Sequence, residues 1–475
     1  MNNELVISST EQGGRIALLQ DKRLVEYHLE EHDHNFTVGD IYLGLVKKLV
    51  PNLNAAFVDI GYEKDAFLHY HDLGPNIQSL SKFTKQALAK QLTTHKLNDF
   101  KFEPETNKFG KIGDIFTKNQ QVLVQIAKEP ISTKGPRLSC DISLAGRYLV
   151  LQPFSSSVNI SKKIASREER SRLQRLMMSI KPANFGVIVR TVAEGKEVSE
   201  LDKDLRNLVE KWETCYKSLS NGAVPRDRVV GEMNRASSML RDMLNESFDN
   251  ITVDDKDTYE EIKSFVRTIA PDKEKILRLH SGKIKVFESL GIEKQIKSLF
   301  GRTVSLPGGG YVIIEHTEAL HVIDVNSGNK SIQEGDQEAT AFAVNMEAAK
   351  EIARQIRLRD MGGIIVIDFI DMKKADNKRV IHEQMKLEMK NDRSKFTVLP
   401  LSKFGLMQIT RQRVRPEVNI GTGEICPTCG GTGKITASIM VSDQVETTLD
   451  YILSKQNEKN ISIVLHPYLH GYFTT

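Results

Sequence analysis

Two short apolar runs that end in carboxylates, with a helical segment between them, most constrain how this chain can fold. The first covers residues 321–326 and reads HVIDVN, and the second covers residues 363–371 and reads GIIVIDFID. Residues at helical spacing, including Asn345, lie between the runs, and Gly362 and Gly363 supply the stop of the helix, so the pattern predicts strand, helix, strand. A crossover of that length makes the strands parallel, almost always with a right-handed connection.

Asp324 and Asp368 lie near the ends of these runs. Because parallel neighbours end at the same edge of a sheet, we expect both carboxylates at the carboxyl edge, where open α/β sheets build their sites. Two carboxylates there repel each other unless a cation joins them, and oxygen ligands suit Mg2+ or Mn2+ better than zinc. The residues alone leave open the alternative that both are solvated aspartates at strand ends.

The composition is that of a soluble globular protein with several domains, since 40% of the 475 residues are hydrophobic and 27% are charged. The net charge is only +4, so binding of a polyanion has to be argued from the positions of the basic residues. The sequence has no apolar run near the roughly 18 residues of a membrane helix and no signal peptide, so we expect a cytoplasmic protein without a membrane span.

Short strands with glycine breaks and aromatic residues after residue 38 predict a five-stranded OB-fold barrel. Phe57 and Phe67 lie ten positions apart and would share one face of the barrel, where they could stack on bases of single-stranded nucleic acid. The alternative is that both are ordinary core phenylalanines. Lys134 belongs to a basic loop that either contacts phosphate or is simply solvated.

A lysine-rich insertion follows within the barrel, between residues 72 and 112. We expect its tip, residues 96–111, to be poorly structured. Beyond the barrel, Arg190 and Thr191 end a predicted strand and form a plausible phosphate grip, although a solvated arginine explains them as well.

Two further motifs lie near the carboxyl end of the chain. Arginines at alternate positions 411, 413 and 415 suggest a phosphate backbone that passes close to the carboxylate pair. Cys426 and Cys429 have the spacing of a zinc knuckle, yet the chain has no second CxxC pair to complete four ligands. Either two chains share one zinc ion, which would clasp a dimer, or the pair is reduced and unliganded.

Five motifs in series resemble those of the ribonuclease E/G family. They are VIDVNS at 322–327, AAKEIARQIRLRD at 348–360, GIIVIDFIDM at 363–372, FGL to RQR at 404–413, and CPTC at 426–429. The length is closer to that of the ribonuclease G branch, which lacks a long disordered tail.

The resemblance implies a multidomain α/β (α+β) protein in which an S1-type OB-fold is inserted into an RNase H-like subdomain. The implied divisions are the RNase H-like subdomain at 1–36 and 237–300, the barrel with its insertion at 37–145, a 5′-sensor at 146–236, a DNase I-like catalytic subdomain at 301–421, a zinc link at 422–434 and a small C-terminal domain at 435–475.

The resemblance also implies an endoribonuclease that cuts single-stranded RNA in ribosomal RNA precursors and messenger RNA, leaving 5′-phosphate and 3′-hydroxyl ends. By the same resemblance, Asp324 and Asp368 hold the catalytic Mg2+, with Mn2+ as an alternative, and Asn326 contacts the scissile phosphate. Phe57, Phe67 and Lys134 match the positions that bind RNA.

Further residues match a pocket that senses a 5′-monophosphate on the substrate; they are Gly146, Val150, Arg190, Thr191 and Lys395. Lys395 stands where we expect arginine, which would replace a bidentate grip by a point charge. Cys426 and Cys429 match a structural zinc link shared between protomers, which implies a homodimer or a homotetramer. A noncatalytic RNA-binding protein is the main alternative, and the presence of Asp324, Asn326 and Asp368 argues against it.

Overall fold

The computed structural model describes residues 2–10, 13–30, 36–130, 134–244, 247–328, 337–390, 392–413, 416–418, 438–456 and 460–464, with the single residues 420, 427, 429 and 433. The chain divides into two compact units, Met1–Asn419 and Ile420–Thr475. Among the helices in these ranges, none is long and apolar enough to cross a membrane.

The strands within these ranges are β1 (Asn3–Thr10), β2 (Gly13–Gln20), β3 (Arg23–Glu30), β4 (Ile41–Val50), β5 (Ala55–Asp59), β6 (Ala66–His69), β7 (Gln121–Lys128), β8 (Arg137–Ser139), β9 (Leu144–Ala145), β10 (Leu149–Pro153), β11 (Val158–Ile160), β12 (Phe185–Val189), β13 (Arg228–Val230), β14 (Phe248–Val253), β15 (Leu277–Leu279), β16 (Thr303–Ser305), β17 (Tyr311–His316), β18 (Leu320–Asn326), β19 (Gly363–Asp368), β20 (Phe396–Val398) and β21 (Leu406–Arg411). The α-helices are α1 (Ile77–Leu88), α2 (Ile112–Ile115), α3 (Arg167–Ile180), α4 (Val198–Ser220), α5 (Arg235–Met243), α6 (Lys256–Ile269), α7 (Val286–Ser289), α8 (Ile292–Leu299), α9 (Gln337–Leu358), α10 (Ala375–Met389) and α11 (Ser438–Tyr451).

A six-stranded sheet carries both carboxylate runs, in the order β16-β17-β18-β19-β21-β20. β18 and β19 are parallel, and α9 lies between them in the chain and packs against β17 and β18. Ile323, Val325, Ile365 and Ile367 are fully or almost fully buried, and they alternate with more exposed residues along the two strands. The predicted strand, helix, strand unit is confirmed.

A closed barrel of five strands forms the second architectural element. Its order is β4-β5-β6-β8-β7, and pairing of β4 with β7 closes it, while β13 adds to the outside of β4. This strand order is consistent with the predicted OB-fold.

The N-terminal strands β1, β2 and β3 form an antiparallel meander within a sheet of order β15-β14-β1-β2-β3. β1 pairs in parallel with β14, far along the chain, because three short strands cannot close a core alone. A fourth sheet, β11-β12-β10-β9, packs with α4. The mixed α/β architecture is as predicted, whereas the RNase H-like and DNase I-like assignments and the domain boundaries remain predictions.

The predicted insertion tip, residues 96–111, contains no helix or strand, as expected, but part of it packs against the rest of the unit. Leu97 is fully buried, and Phe100 packs edge to face on Phe83 of α1 at 5.9 Å between ring centroids. Trp212 of α4 is fully buried, and its Nε1 donates to the His95 carbonyl at 3.1 Å. Hydrogen bonds from aromatic side chains thus tie the loop backbone to the helix, and the lysine content of the segment gave no sign of these contacts.

Candidate active site

Asp324 on β18 and Asp368 on β19 are direct partners in the parallel register of the two strands. Both side chains lie on the more exposed face of the sheet, alternating with buried neighbours. Asn326, two residues further on β18, donates from Nδ2 to Asp324 Oδ2 at 2.9 Å. The structure therefore brings together the three residues that the sequence singled out as catalytic.

Asp371 adds a third carboxylate to this edge. Partial burial raises the pKa of Asp368 above its usual value, and the negative charges of Asp324 and Asp371 raise it further. Among the described residues, no lysine or arginine forms an ion pair with any of the three. A set of oxygen donors with uncompensated negative charge fits a hard divalent cation such as Mg2+.

Polar contacts from α9, one of them buried, hold the loop that carries Asp371. Asn345 is fully buried, and its Nδ2 donates to the Ile370 carbonyl at 2.8 Å while its Oδ1 accepts from the Ile370 N–H at 3.1 Å. Glu338 accepts hydrogen bonds from the backbone N–H groups of Lys373 and Lys374. The sequence analysis placed Asn345 on the buried stripe of the helix but did not predict its hydrogen bonds to Ile370. The sign that could have indicated them is a single amide side chain on an otherwise apolar helix face.

Phe404 begins one of the sequence motifs, but the sequence did not indicate that its ring is exposed. Its side chain is 85% exposed, in the turn before β21, where Leu406 pairs with Asp368. The next residue, Gly405, has a φ of +83°, and a Cβ there would lie 3.2 Å from Asp371 Oδ1. The turn thus brings a free aromatic ring to the edge that carries the carboxylates.

The arginine row has a different role from the one predicted. Arg411 is buried and forms ion pairs with Asp392 at 2.7 Å and Asp360 at 2.6 Å. Arg413 donates from Nε to the Gly362 carbonyl at 2.7 Å, and residue 415 lies outside the described residues. The prediction of a phosphate contact is wrong for Arg411, because the buried Asp392 and the half-buried Asp360, both distant in sequence, satisfy its charge.

On the barrel, Phe57 and Phe67 are direct partners across β5 and β6, with ring centroids 5.9 Å apart and edge to face. Both rings are half-buried, between fully buried residues of the same strands, so they belong to the barrel surface and not to its core. Lys134 is exposed, and the Phe67 N–H donates to the Pro136 carbonyl at 2.8 Å. The segment with Lys134 therefore runs beside the aromatic pair.

Four of the five predicted sensor residues lie on or directly beside one small sheet, and Lys395 does not. Arg190 follows β12, and its Nη1 donates to the Gly146 carbonyl and to Asp242 Oδ1, each at 2.7 Å. Val150 lies on β10 and pairs with Ile188 of β12. Thr191 shares a hydrogen bond of 2.9 Å with Ser161. Lys395 is exposed and precedes β20, in the sheet that carries the carboxylates.

Asp242, which the sequence analysis did not identify, holds Arg190 in place. Burial would raise the pKa of Asp242, but the charges of Arg241 and Arg190 outweigh burial and keep this pKa below its usual value. Among the described residues, the two acceptors of Arg190, Asp242 and the Gly146 carbonyl, both bind Nη1, which leaves Nε and Nη2 for an anion.

The predicted zinc link is only partly within the described residues. Cys429 is half-buried, and Cys426 lies outside the described residues. The other two cysteines are buried in the first unit, where burial raises the pKa of Cys215 to about 12 and also raises that of Cys140. Neither is a plausible ligand for the same ion, and the shared zinc stays a prediction.

Comparisons with known proteins agree with this geometry. A model of the Ribonuclease E/G family matches residues 143–414. Ribonuclease G of Escherichia coli strain K12 is 35% identical over 435 residues, which are 92% of this chain and 85% of that protein. Ribonuclease E of the same strain is 32% identical over 468 residues, which are 98% of this chain but 42% of that longer protein.

We expect Asp368→Asn to raise the thermal midpoint of the protein in EDTA at neutral pH. In the folded state, partial burial and the charges of Asp324 and Asp371 disfavour the ionised form of Asp368, which is why its pKa is raised. A neutral amide at this position removes that cost to the folded state. The advantage should shrink as the pH falls through the pKa of Asp368, since the wild-type side chain then binds a proton. Calorimetry over a pH series measures this difference. Asp376→Asn, at an exposed position of α10, is the control and should not raise the midpoint; a lower midpoint for Asp368→Asn would contradict the repulsion.

Proposed function

The chain belongs to the ribonuclease E/G family, and from that premise we propose that it is a Mg2+-dependent endoribonuclease that cleaves single-stranded RNA internally. It would leave 5′-phosphate and 3′-hydroxyl ends and act on ribosomal RNA precursors and messenger RNA. The observation that carries the proposal is the register of Asp324 with Asp368 beside a third carboxylate. A purely RNA-binding protein would need no such concentration of negative charge near its ligand.

Asp324 and Asp368 would hold the cation, and Asp371 adds negative charge at the same edge. When bound, Mg2+ supplies an activated water and offsets the charge that develops on the phosphate. Asn326 donates one amide hydrogen to Asp324, which leaves the second for a phosphate oxygen. The bond to Asp324 also orients the amide before substrate binds.

Aromatic and basic side chains would hold the RNA. Phe57 and Phe67 present half-exposed rings on the barrel, beside the segment of Lys134, and bases stack on such surfaces without sequence preference. Phe404 would stack on a base next to the scissile bond, because its ring is free at the edge of the carboxylates.

A 5′-monophosphate on the substrate would stimulate cleavage through the sensor sheet. Arg190 and Thr191 offer a guanidinium and a hydroxyl at the end of one strand, and the Arg190 pair with Asp242 preorganises the fork. Lys395 would add a point charge.

Cys426 and Cys429 would share a structural zinc ion with a second chain, which gives a homodimer or, with further pairing, a homotetramer.

The direct test of this function uses a circular single-stranded RNA, which has no end for an exonuclease. We expect Mg2+-dependent linearisation by the wild-type protein and a loss of about a hundredfold or more in Asp324→Asn. Asp376→Asn is the matched control and should cleave normally. Cleavage of a linear RNA only from its end, or cleavage that EDTA does not stop, would contradict the proposal.

A second prediction concerns the sensor. Arg190→Gln should lower kcat/KM on RNA with a 5′-monophosphate by roughly tenfold or more, since it removes a charge-assisted contact. The rate on RNA with a 5′-hydroxyl should change little and controls for misfolding. Arg175→Gln, at an exposed position of α3, should leave both rates unchanged. Equal losses on the two substrates would argue against a sensor at Arg190.

A third prediction concerns Phe404. Because stacking of a base on an aromatic ring contributes about 1–3 kcal/mol, Phe404→Ala should weaken RNA cleavage by roughly fivefold to a hundredfold, and Phe404→Trp should retain it. Phe109→Ala removes another exposed ring, on the insertion, and provides the control. Normal kcat/KM in Phe404→Ala would exclude stacking there.

A further inference from the structure

Two histidines and a glutamate meet at the end of the catalytic sheet away from the carboxylate pair. His316 ends β17 and pairs in register with His321 near the start of β18. Glu417, beyond β21, returns to this end of the sheet, so that donor atoms of the three residues lie within 4.8 Å of one another. The proposed nuclease reaction uses none of these side chains.

Their hydrogen bonds leave one ligand atom of each residue turned inward. His321 Nε2 lies 2.9 Å from Glu417 Oε1 and 3.1 Å from the Gly362 carbonyl oxygen. These two oxygen acceptors lie nearer to Nε2 than the Arg413 Nη2 donor at 3.3 Å, which favours a proton on Nε2 and leaves the lone pair on Nδ1. That Nδ1 accepts a hydrogen bond of 2.7 Å from His316 Nδ1, so the two imidazoles face each other through ring nitrogens that a metal ion would bind once the His316 proton moves to Nε2.

The carboxylate is oriented in a similar way. Glu417 Oε1 accepts from Arg413 Nη2 at 3.2 Å as well as from His321. Its second oxygen, Oε2, lies 4.0 Å from His316 Nδ1 and faces the histidine pair. Histidine ligands of metals typically donate their other N–H to a carbonyl or carboxylate, and ligating carboxylates are themselves hydrogen-bonded. His321 has the first feature and Glu417 the second.

We propose that His316, His321 and Glu417 bind a divalent transition metal ion of the zinc class. Imidazole nitrogens with one carboxylate suit Zn2+ far better than Mg2+, and three protein ligands leave a fourth position for water. The His316 side chain is 40% exposed and gives access, whereas that of His321 is 3% exposed and fixed. The site is separate from the carboxylate pair and from the predicted thiolate link.

A metal ion here would hold Glu417 against the sheet. His321 lies three residues before Asp324 on the same strand, and Glu417 lies nine residues before Cys426. The alternative is a hydrogen-bonded cluster without metal, in which the Arg413 guanidinium, 3.3 Å from His321 Nε2, offsets the charge of Glu417.

The test is made in the full chain carrying Cys426→Ser and Cys429→Ser, so that the predicted thiolate ligands are absent. Titration with Zn2+ and Co2+ is followed by equilibrium dialysis, elemental analysis and absorption spectroscopy. We expect a bound Co2+ ion with d–d absorption but without the intense near-ultraviolet band that thiolate ligands cause. His316→Ala should weaken binding by about a hundredfold, and because this side chain is exposed the variant should fold.

His382→Ala removes a histidine of α10 outside the cluster and should leave binding unchanged. Glu417→Gln should weaken binding as His316→Ala does. Absence of Co2+ and Zn2+ binding in the protein with both serine substitutions, or binding that neither variant weakens, would overturn the proposal and leave the hydrogen-bonded cluster. The experiment measures metal content and not RNA cleavage, so a negative result would reject the metal site without bearing on the proposed nuclease function.

Discussion

Repulsion between carboxylates held in register is the interaction on which the site depends. Asp324 and Asp368 are direct partners on parallel strands, and neither can move away without shifting a strand. The buried isoleucines that alternate with them resist such a shift, because a slip of one residue would turn apolar side chains outward. Apolar packing of the sheet therefore maintains a charge arrangement that a cation would relieve.

Contacts around the site also fix the loop with Asp371 and the strand β21. Asn345 ties α9 to the backbone beside Asp371, and Arg411 binds Asp392 and Asp360 inside the sheet. A buried charge that loses its partners is strongly destabilising, so these pairs fix β21 against β19. The turn with Phe404 is then held at the same edge as the carboxylates.

Much of this could be predicted from sequence, because it rests on local pattern. Strand and helix periodicity places Asp324 and Asp368 on neighbouring strands, and glycine-broken strands indicate the barrel. The contacts that could not be predicted join residues far apart in the chain: the partners of Arg411, the hydrogen bond from Trp212 to the insertion, and the pair of Arg190 with Asp242. Periodicity carries no information on which distant carboxylate or carbonyl will meet a given side chain.

Direct binding of Mn2+, followed by electron paramagnetic resonance, tests the central claim most directly. Mn2+ reports on the oxygen site that we assign to Mg2+, and Mg2+ should compete for it. The account predicts that Asp324→Asn and Asp368→Asn each abolish this Mg2+-competed binding, while His316→Ala and Cys429→Ser retain it. Unchanged Mn2+ binding in Asp368→Asn would contradict a cation site between the two strands.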